Sequence, residues 1–208
     1  WKMLKEMDIP EGFVVAADFQ TAGKGQTGNS WESAYRKNLL FSLVLYPHHV
    51  PIEEQFLISQ AVSVGIKNIL DTISDDITIK WPNDIYWKDK KLAGILIETS
   101  LFRNVISKAV VGIGLNVNQT QFLSDAPNPI SLKQIRGKSY HRKKLLNEIR
   151  TSILDVYLQW MPDKIRSVYA QSLYRKDGYH PYQSTTGIFR AKINRIYPDG
   201  ALELETEK

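Results

Sequence analysis

Apolar and polar positions divide the chain into short strand-like runs and two long segments with helical spacing. Apolar runs at 13–19 and 38–47, the second rich in branched and aromatic residues, predict buried strands. Across 51–73, apolar residues recur at helical spacing after a proline and two glutamates in the first turn, which predicts a helix. Helical spacing returns from 141 to about 175, and residues 1–8 read as the end of a further helix.

Three more strand-like runs separate the two helical segments, and a hairpin is predicted near the C-terminus. The runs are ITIKWPNDIYW (77–87), KLAGILIETSLF (91–102) and SKAVVGIGLNVN (107–118), each bounded by turn residues. Alternating apolar residues on both sides of a Pro-Asp-Gly turn predict the hairpin. The pattern therefore predicts an α+β fold. A mixed β-sheet with packed helices fills residues 1–175, and a small β module at 176–208 ends before its last strand.

Composition narrows the classes of function. The chain of 208 residues has no cysteine, which excludes disulfides, zinc–thiolate sites and thiol catalysis. Its net charge of +5 suits an anionic ligand but is too scattered to indicate nucleic acid. No apolar run reaches the length of about 18 residues that a membrane helix needs, and no signal peptide is visible. A cytoplasmic protein is expected.

The stretch DFQTAGKGQTGNSW (18–31) has glycines spaced as G-x-G-x-x-G, the pattern of a dinucleotide-binding turn. Its context does not fit that turn, because no amphipathic helix follows and His48 stands where an acidic residue is needed. A Walker A loop is excluded because a glycine follows Lys24, and kinase motifs are missing. We therefore predict a strand–loop–strand segment whose backbone amides approach an anion. The alternative is an ordinary glycine-rich surface loop.

Three further compact motifs follow the glycine loop: KWPND (80–84), KLAGILIE (91–98) and GIGLNVN (112–118). With these four motifs in this order, the sequence resembles the catalytic domain of biotin protein ligases (biotin–acetyl-CoA-carboxylase ligases) over about residues 13–175. The resemblance implies a class II synthetase-like fold, and the C-terminal module resembles the small barrel of that family. Lipoate ligases share the fold but are not known for this glycine loop or for Lys-Trp-Pro-Asn-Asp.

The resemblance implies a reaction in two steps. The carboxylate of biotin attacks the α-phosphorus of ATP, giving biotinyl-5′-AMP and pyrophosphate. The amine of a lysine on a biotin carboxyl carrier protein then attacks the mixed anhydride and releases AMP. Both steps bring negative charge together, so fixed cations and backbone donors are needed. Mg²⁺ is expected to arrive with ATP, without a permanent metal site on the protein.

The resemblance also assigns site residues. Lys91 matches the family's essential lysine and is expected to reach the biotin carboxylate and the α-phosphate together; the alternative is a solvent-facing lysine. Asp84 is expected to assist Mg²⁺ or to polarise the carrier's lysine, and Lys24 completes the catalytic set. The biotin-binding residues are Gln20, Gly23, Lys24, Gly25, Gln26, Lys91, Gly94, Gly112 and Gly114. The ATP-binding residues are Lys24, Gln26, Gly28, Trp31, Asn83, Lys91 and Asn116.

Some of these positions depart from the family pattern or have a purely structural alternative. Lys24 replaces the usual arginine, and Gln26 replaces a second arginine that helps to retain the adenylate, so faster release of biotinyl-AMP is expected. Trp31 is either a wall for the nucleotide base or a core tryptophan. Asn83 faces ATP, unless the turn that contains it is shaped by Trp81 and Pro82 alone.

The ends of the chain and two rival functions complete the expectations. Only residues 1–12 precede the first predicted strand, so a monofunctional ligase without a DNA-binding domain is expected, with neither nucleic acid nor membrane as a partner. A Ser-Thr-Asn stretch that helps to bind biotin in the family is absent. The rivals are a lipoate or octanoate ligase or transferase, and an inactive module that binds biotin or nucleotide. Monomer and homodimer remain equally open.

Overall fold

The computed structural model describes residues 1–26, 30–124 and 127–207, which form eleven strands and five helices. The strands are β1 (Val14–Ala17), β2 (Gly23–Lys24), β3 (Ser30–Trp31), β4 (Leu39–Leu45), β5 (Ile77–Lys80), β6 (Asp84–Trp87), β7 (Lys90–Phe102), β8 (Val105–Leu115), β9 (His180–Ser184), β10 (Gly187–Ile196) and β11 (Leu202–Thr206). The helices are α1 (Lys2–Glu6), α2 (Phe56–Asp71), α3 (Leu132–Arg136), α4 (Arg142–Gln159) and α5 (Pro162–Gln171). A 3-10 turn, Ile52–Glu54, leads into α2.

Six of the strands form one sheet in the order β1-β4-β8-β7-β6-β5. Every neighbouring pair in it is antiparallel. Parallel pairing in the described part of the chain is limited to isolated bridges, Ile79–Leu173 and Lys91–Pro129. The predicted α+β class is confirmed, whereas the sheet that was predicted to be mixed is antiparallel.

Helices α2 and α4 cover one face of this sheet because their apolar stripes meet there. Ile58, Ile66, Ile149 and Ile153 are at most 1% exposed and belong to the same core cluster as the central strands. The two helices approach so closely that a Cβ on Gly65 would lie 2.6 Å from the Cα of Ile153. The sheet is therefore held rigidly from behind, and its other face is free to carry a site.

The structure differs from the sequence prediction in two helical regions. The segment predicted as helical from 141 to about 175 is two helices, because Trp160 adopts a left-handed backbone (φ 37°) and Pro162 then starts α5. The short helix α3 was not predicted, although it has a capping box: Ser131 and Gln134 each satisfy the other's backbone N–H.

The C-terminal residues form a three-stranded sheet, β11-β10-β9. Strands β10 and β11 are the predicted hairpin, whereas β9 was not predicted. The module is fixed to the main body by a hydrogen bond of 2.8 Å from Trp81 Nε1 to the carbonyl of Gly200. Gly200 packs against the ring of Phe56. The boundary between the modules at 175–176 remains a prediction. No helix in the described ranges has both the length and the apolar character to cross a membrane.

Candidate active site

Three glycines on β7 and β8 leave a strip of the sheet without side chains. Gly94 pairs with Gly114, and Gly112 pairs with Leu96 on the same two strands. A cavity of about 340 Å³, here called the first cavity, lies over this strip. Most of the predicted site residues line it: Gln20, Lys24, Gly25, Gln26, Trp31, Asn83, Asp84, Lys91, Gly94, Gly112 and Gly114. The sheet thus brings together residues that are up to 94 positions apart in the chain.

The indole of Trp31 lies directly on the glycine strip. A Cβ added to Gly114 would be 2.5 Å from Trp31 Cε2, and one added to Gly94 would be 3.0 Å from Cζ3. Its Nε1 is buried and has no hydrogen-bond partner in the part of the chain that the structure describes. Glycine is needed at 94 and 114 because any side chain there would displace the ring.

The small hairpin of β2 and β3 places Trp31 on the strip. Gly23 pairs with Trp31, and Lys24 pairs with Ser30. A Cβ on Gly23 would meet the carbonyl oxygen of Trp31 at 2.4 Å, so this glycine permits the close approach of the two strands. Gly23 therefore supports the loop and does not line the first cavity. Gly28, predicted to bind ATP, lies outside the described residues.

Lys91 and Asp84 form an ion pair beside the indole. The Nζ atom of Lys91 lies 2.7 Å from Asp84 Oδ1 and 5.6 Å from the centroid of the Trp31 ring. The pair is close but lacks hydrogen-bond geometry, so Oδ1 is buried without a hydrogen-bond donor among the described residues. The side chain of Lys91 is 32% exposed. Its ammonium is thus held at the cavity wall and remains accessible to a ligand.

The backbone around Lys91 is fixed on both sides. A β-bulge between Ile85 and Tyr86 shifts the register of β6 against β7. On the other side, Lys91 N–H donates to the carbonyl of Asn128 (2.8 Å), and Ile130 N–H donates to the carbonyl of Lys91 (3.0 Å). This lysine therefore starts from a rigid position, as charge stabilisation in a site requires.

The KWPND turn connects β5 to β6 and is bound to β7. Asn83 Nδ2 donates to the carbonyl of Ile95 (2.7 Å), and Ile95 N–H donates to the carbonyl of Asn83 (2.8 Å). Lys80 Nζ donates to the hydroxyl of Tyr86 (2.9 Å). Asn83 lines the first cavity, but its amide group is used to hold the turn. The structure therefore gives this residue a structural contact in addition to its predicted position at the site.

A second cavity of about 510 Å³ adjoins the first. The two cavities have four lining residues in common, Ser30, Trp31, Asp84 and Lys91. The second cavity is lined by residues on or next to β3, the KWPND hairpin and the segment after β8, among them Glu32, Lys80, Tyr86, Phe122, Ser124 and Pro129. The ion pair and the indole thus form a partition that is exposed to both cavities.

Asn116 lies at the second cavity and not at the first. It is 3% exposed, and its Oδ1 accepts a hydrogen bond of 3.4 Å from Asn38 Nδ2. Asn38 Nδ2 also donates to Gln119 Oε1 at 2.6 Å. Asn116 therefore belongs to a buried amide network at the edge of this cavity.

Sequence reasoning missed several polar residues of the site. Ser42 and Glu98 line the first cavity, and Glu98 accepts a hydrogen bond from Trp1 Nε1 (3.2 Å). Ser42 is the single polar residue in the apolar strand LLFSLVL, and this could have identified it as a candidate site residue. No local pattern in the sequence marks Glu32, because its partners are distant in the chain: the side chain of Gln119 and the backbone of residues 123 and 124.

The part of the chain that the structure describes contains no group of three or more His, Asp or Glu residues arranged to hold a metal ion. Asp84, the one carboxylate expected to assist Mg²⁺, has its Oδ1 beside the ammonium of Lys91.

Comparisons with known proteins are consistent with this geometry. A profile described as "Biotin/lipoate A/B protein ligase family" matches residues 1–116. The bifunctional ligase/repressor BirA of Bacillus subtilis is 30% identical over 215 residues, covering 99% of this chain and 65% of that protein. The chain thus spans less than two thirds of this relative. Biotin–[acetyl-CoA-carboxylase] ligase of Mycobacterium tuberculosis is 29% identical over 157 residues, covering 72% of this chain and 56% of that protein.

A solved structure is similar over nearly the whole chain. The biotin protein ligase from Aquifex aeolicus, in complex with biotin and ATP, superposes with a TM-score of 0.81 at 26% identity. The match covers 99% of this chain and 87% of the Aquifex chain.

Proposed function

The chain belongs to the biotin/lipoate A/B protein ligase family, and from that membership we propose that it is an ATP-dependent biotin–[acetyl-CoA-carboxylase] ligase. It activates biotin as biotinyl-5′-AMP and transfers it to a lysine of a biotin carboxyl carrier protein. The relatives that are named as biotin ligases support this assignment. The Aquifex structure, which is a complex with both biotin and ATP, supports two adjacent ligand sites.

The observation that carries the proposal is the partition between the two cavities. Lys91, Asp84 and Trp31 line both. A carboxylate bound in the first cavity and a triphosphate bound in the second would therefore meet at Lys91 Nζ. Two anions repel each other, and a fixed ammonium between them offsets that repulsion and stabilises the charge of the transition state.

The first cavity suits biotin in size and in chemistry. Its volume of about 340 Å³ lies at the lower end of the range of small-molecule sites, roughly 300–1,000 Å³. The bare backbone at Gly112 and the apolar side chains of β4 and β7 accept a flat ring system and its chain. Gln20 and Ser42 supply both donors and acceptors, which a ureido ring needs.

The first step requires positioning and charge neutralisation, without a protein nucleophile. A carboxylate oxygen of biotin forms a bond to the α-phosphorus of ATP, and the bond from that phosphorus to the bridging oxygen breaks as pyrophosphate leaves. Lys91 faces the carboxylate and the α-phosphate, and Lys24 adds a second cation to the first cavity. Mg²⁺ accompanies the triphosphate and offsets its charge.

The second step transfers the acyl group to the carrier. The neutral amine of the carrier's lysine attacks the carbonyl carbon, the bond from that carbon to the phosphate oxygen breaks, and AMP leaves. Asp84 Oδ1 is buried and lies 2.7 Å from the ammonium of Lys91, and no described residue donates a well-aligned hydrogen bond to it. A carboxylate in that position accepts the proton that the attacking nitrogen loses.

The rival functions have less support. A lipoate or octanoate chain offers no ureido group for Gln20 and Ser42, and the relatives reported above are named as biotin ligases or as BirA. An inactive binding module would not need a cation at the boundary of two cavities. Labelled biotin and labelled lipoate, each supplied with ATP, separate the enzymatic alternatives directly.

The experiment that tests the proposal compares two neighbouring lysines. Lys91→Ala is expected to lower ATP-dependent pyrophosphate release and biotinylation of a purified carrier domain by roughly 10²–10³-fold. Lys90→Ala removes the same charge one residue away, from an exposed side chain outside both cavities, and should retain the wild-type rate. Wild-type activity in Lys91→Ala would refute the role of this lysine, and transfer of lipoate but not biotin would refute the substrate.

A further inference from the structure

Glu32 connects two segments that are about ninety residues apart in sequence. Its Oε2 accepts hydrogen bonds from the backbone N–H groups of Leu123 (3.0 Å) and Ser124 (2.7 Å). Its Oε1 accepts from Leu123 N–H (3.0 Å) and from Gln119 Nε2 (2.9 Å). Both oxygens of one carboxylate are thus used to hold residues 119–124. We call this set of contacts the Glu32 clasp.

The Glu32 clasp lies where the two halves of the site meet. The preceding residue, Trp31, lines both cavities, whereas Glu32 itself, Phe122 and Ser124 line the second. Gln119 is 3% exposed and is bonded in turn to Asn38 and to the backbone N–H of Ala34. One end of the clasp is therefore fixed to the core, and the other holds a wall of the second cavity.

Among the residues that the structure describes, few other contacts hold residues 121–124 in place. The side chain of Leu123 is 90% exposed, and Ser124 is also exposed. Gln119 Nε2 donates to the carbonyl of Gln121 (2.8 Å), one residue before Phe122. Phe122 is only partly buried, so apolar burial contributes little to the position of this segment. Its position therefore depends largely on hydrogen bonds, and the charged acceptor supplies the strongest kind.

We propose that Glu32 is a positioning residue for ATP: it fixes the wall formed by residues 121–124 over the second cavity without contacting the reacting atoms. The inference rests on the proposed function, because it assumes that the second cavity takes the nucleotide. A wall that is already in place avoids the entropy cost of ordering it when the ligand binds. Biotin affinity should depend on Glu32 much less, because Glu32 does not line the first cavity.

The ionisation state of the Glu32 carboxylate agrees with a positioning role. Burial alone would raise the pKa of Glu32, but the hydrogen bonds from Ser124, Leu123 and Gln119 outweigh that effect and hold the pKa below its ordinary value. Glu32 is therefore ionised at neutral pH. A free carboxylate at this place would repel a triphosphate, whereas one that accepts several N–H donors has its charge largely compensated.

The test uses Glu32→Gln, with Glu148→Gln as the matched control. Glu148 is an exposed glutamate on α4 whose nearest cation, Lys144 Nζ, is 3.8 Å away. The amide that replaces the carboxylate in Glu32→Gln would have one oxygen for the N–H groups that two oxygens now accept, and its NH₂ group would face donors. We expect about a tenfold weaker affinity for Mg·ATP by calorimetry, the effect of losing one hydrogen bond to a charged group. Biotin affinity should be unchanged, and Glu148→Gln should match the wild type for both ligands.

A second measurement needs no ligand and no activity. Amide hydrogen exchange at Leu123 and Ser124, resolved by NMR in the free protein, should be faster in Glu32→Gln and unchanged in Glu148→Gln. Unchanged exchange in Glu32→Gln would overturn the clasp itself. Faster exchange with wild-type ATP affinity, or with equal losses for ATP and biotin, would overturn the positioning role. If the wild type binds ATP but does not biotinylate a carrier, the proposed function fails, and the affinity and exchange results still decide the role of Glu32.

Discussion

The glycine at position 114 allows a sharp test of how the site is divided. A Cβ there would lie 2.5 Å from Trp31 Cε2, 2.7 Å from Nε1 and 2.9 Å from Cδ2. Carbon atoms attract only beyond about 3.5 Å, so Gly114→Ala must push the rigid indole away by about 1 Å. Overpacking of this kind costs about 1–3 kcal/mol. If the indole must return to its wild-type position before a ligand can bind, this cost lowers the affinity for that ligand by roughly 5- to 150-fold.

Gly112→Ala is the matched control because the same change on the same strand meets no such obstacle. Its Cβ would have the carbonyl oxygen of Leu96 as nearest neighbour at 3.4 Å, and no atom of Trp31 lies within 4 Å. Gly112 lines the first cavity alone, whereas Trp31 lines both. Calorimetry with biotin and with Mg·ATP should therefore show that Gly112→Ala weakens biotin binding only. Gly114→Ala should weaken the binding of both ligands.

Two outcomes would contradict this reasoning. If Gly114→Ala weakens biotin binding and leaves ATP binding at the wild-type value, Trp31 is not a shared wall of the two sites. If both variants bind both ligands normally, the glycine strip is not the floor of a ligand site. Denaturant unfolding of each variant checks that the fold is intact, so that a loss of binding is not a loss of folded protein.

Two further predictions concern the helix layer and the Glu32 clasp. Gly65→Ala should lower the free energy of unfolding by about 1–3 kcal/mol despite the better helix propensity of alanine, because its Cβ would meet the backbone of Ile153 at 2.6 Å. A denaturant midpoint at or above the wild-type value would contradict this. Because the pKa of Glu32 is lowered from 4.5, the clasp should be complete above about pH 4.5 and should weaken as the pH falls through the lower value. Amide exchange at Ser124, corrected for its intrinsic pH dependence, should then rise below pH 4.5 in the wild type and not in Glu32→Gln.

Much of the fold was predictable because its strands and helices have strong local patterns. The buried strand β4 is almost entirely apolar, and α2 has a long apolar stripe, so both were predicted close to their observed bounds. The break between α4 and α5 was missed because apolar spacing continues across it, even though Pro162 marks the start of the second helix. Strand β9 was missed because its sequence, HPYQS, is polar and contains a proline.

Within the site, the motifs predicted which residues come together but not how they touch. The glycine motifs placed Gly94 and Gly114 among the predicted biotin-binding residues, yet nothing in the sequence indicates that the indole of Trp31 lies on them. That contact joins strands which are distant in the chain. In the same way, the Glu32 clasp joins a side chain to backbone N–H groups, and backbone donors are the same for every residue except proline. Contacts of this kind leave no trace in a local pattern.

The Lys91–Asp84 pair explains how one small cluster can act in both steps of the proposed reaction. In the free protein the ammonium of Lys91 and the carboxylate of Asp84 neutralise each other at 2.7 Å, so neither charge is buried alone. An incoming carboxylate and α-phosphate compete for the ammonium. The side chain of Lys91 is 32% exposed, so its ammonium can turn from Asp84 toward these anions. Asp84, no longer paired with this ammonium, is then placed to accept a hydrogen bond from the amine of the carrier's lysine. The movement of Lys91 toward the anions of the first step thus leaves the carboxylate of Asp84 available to the amine in the second step.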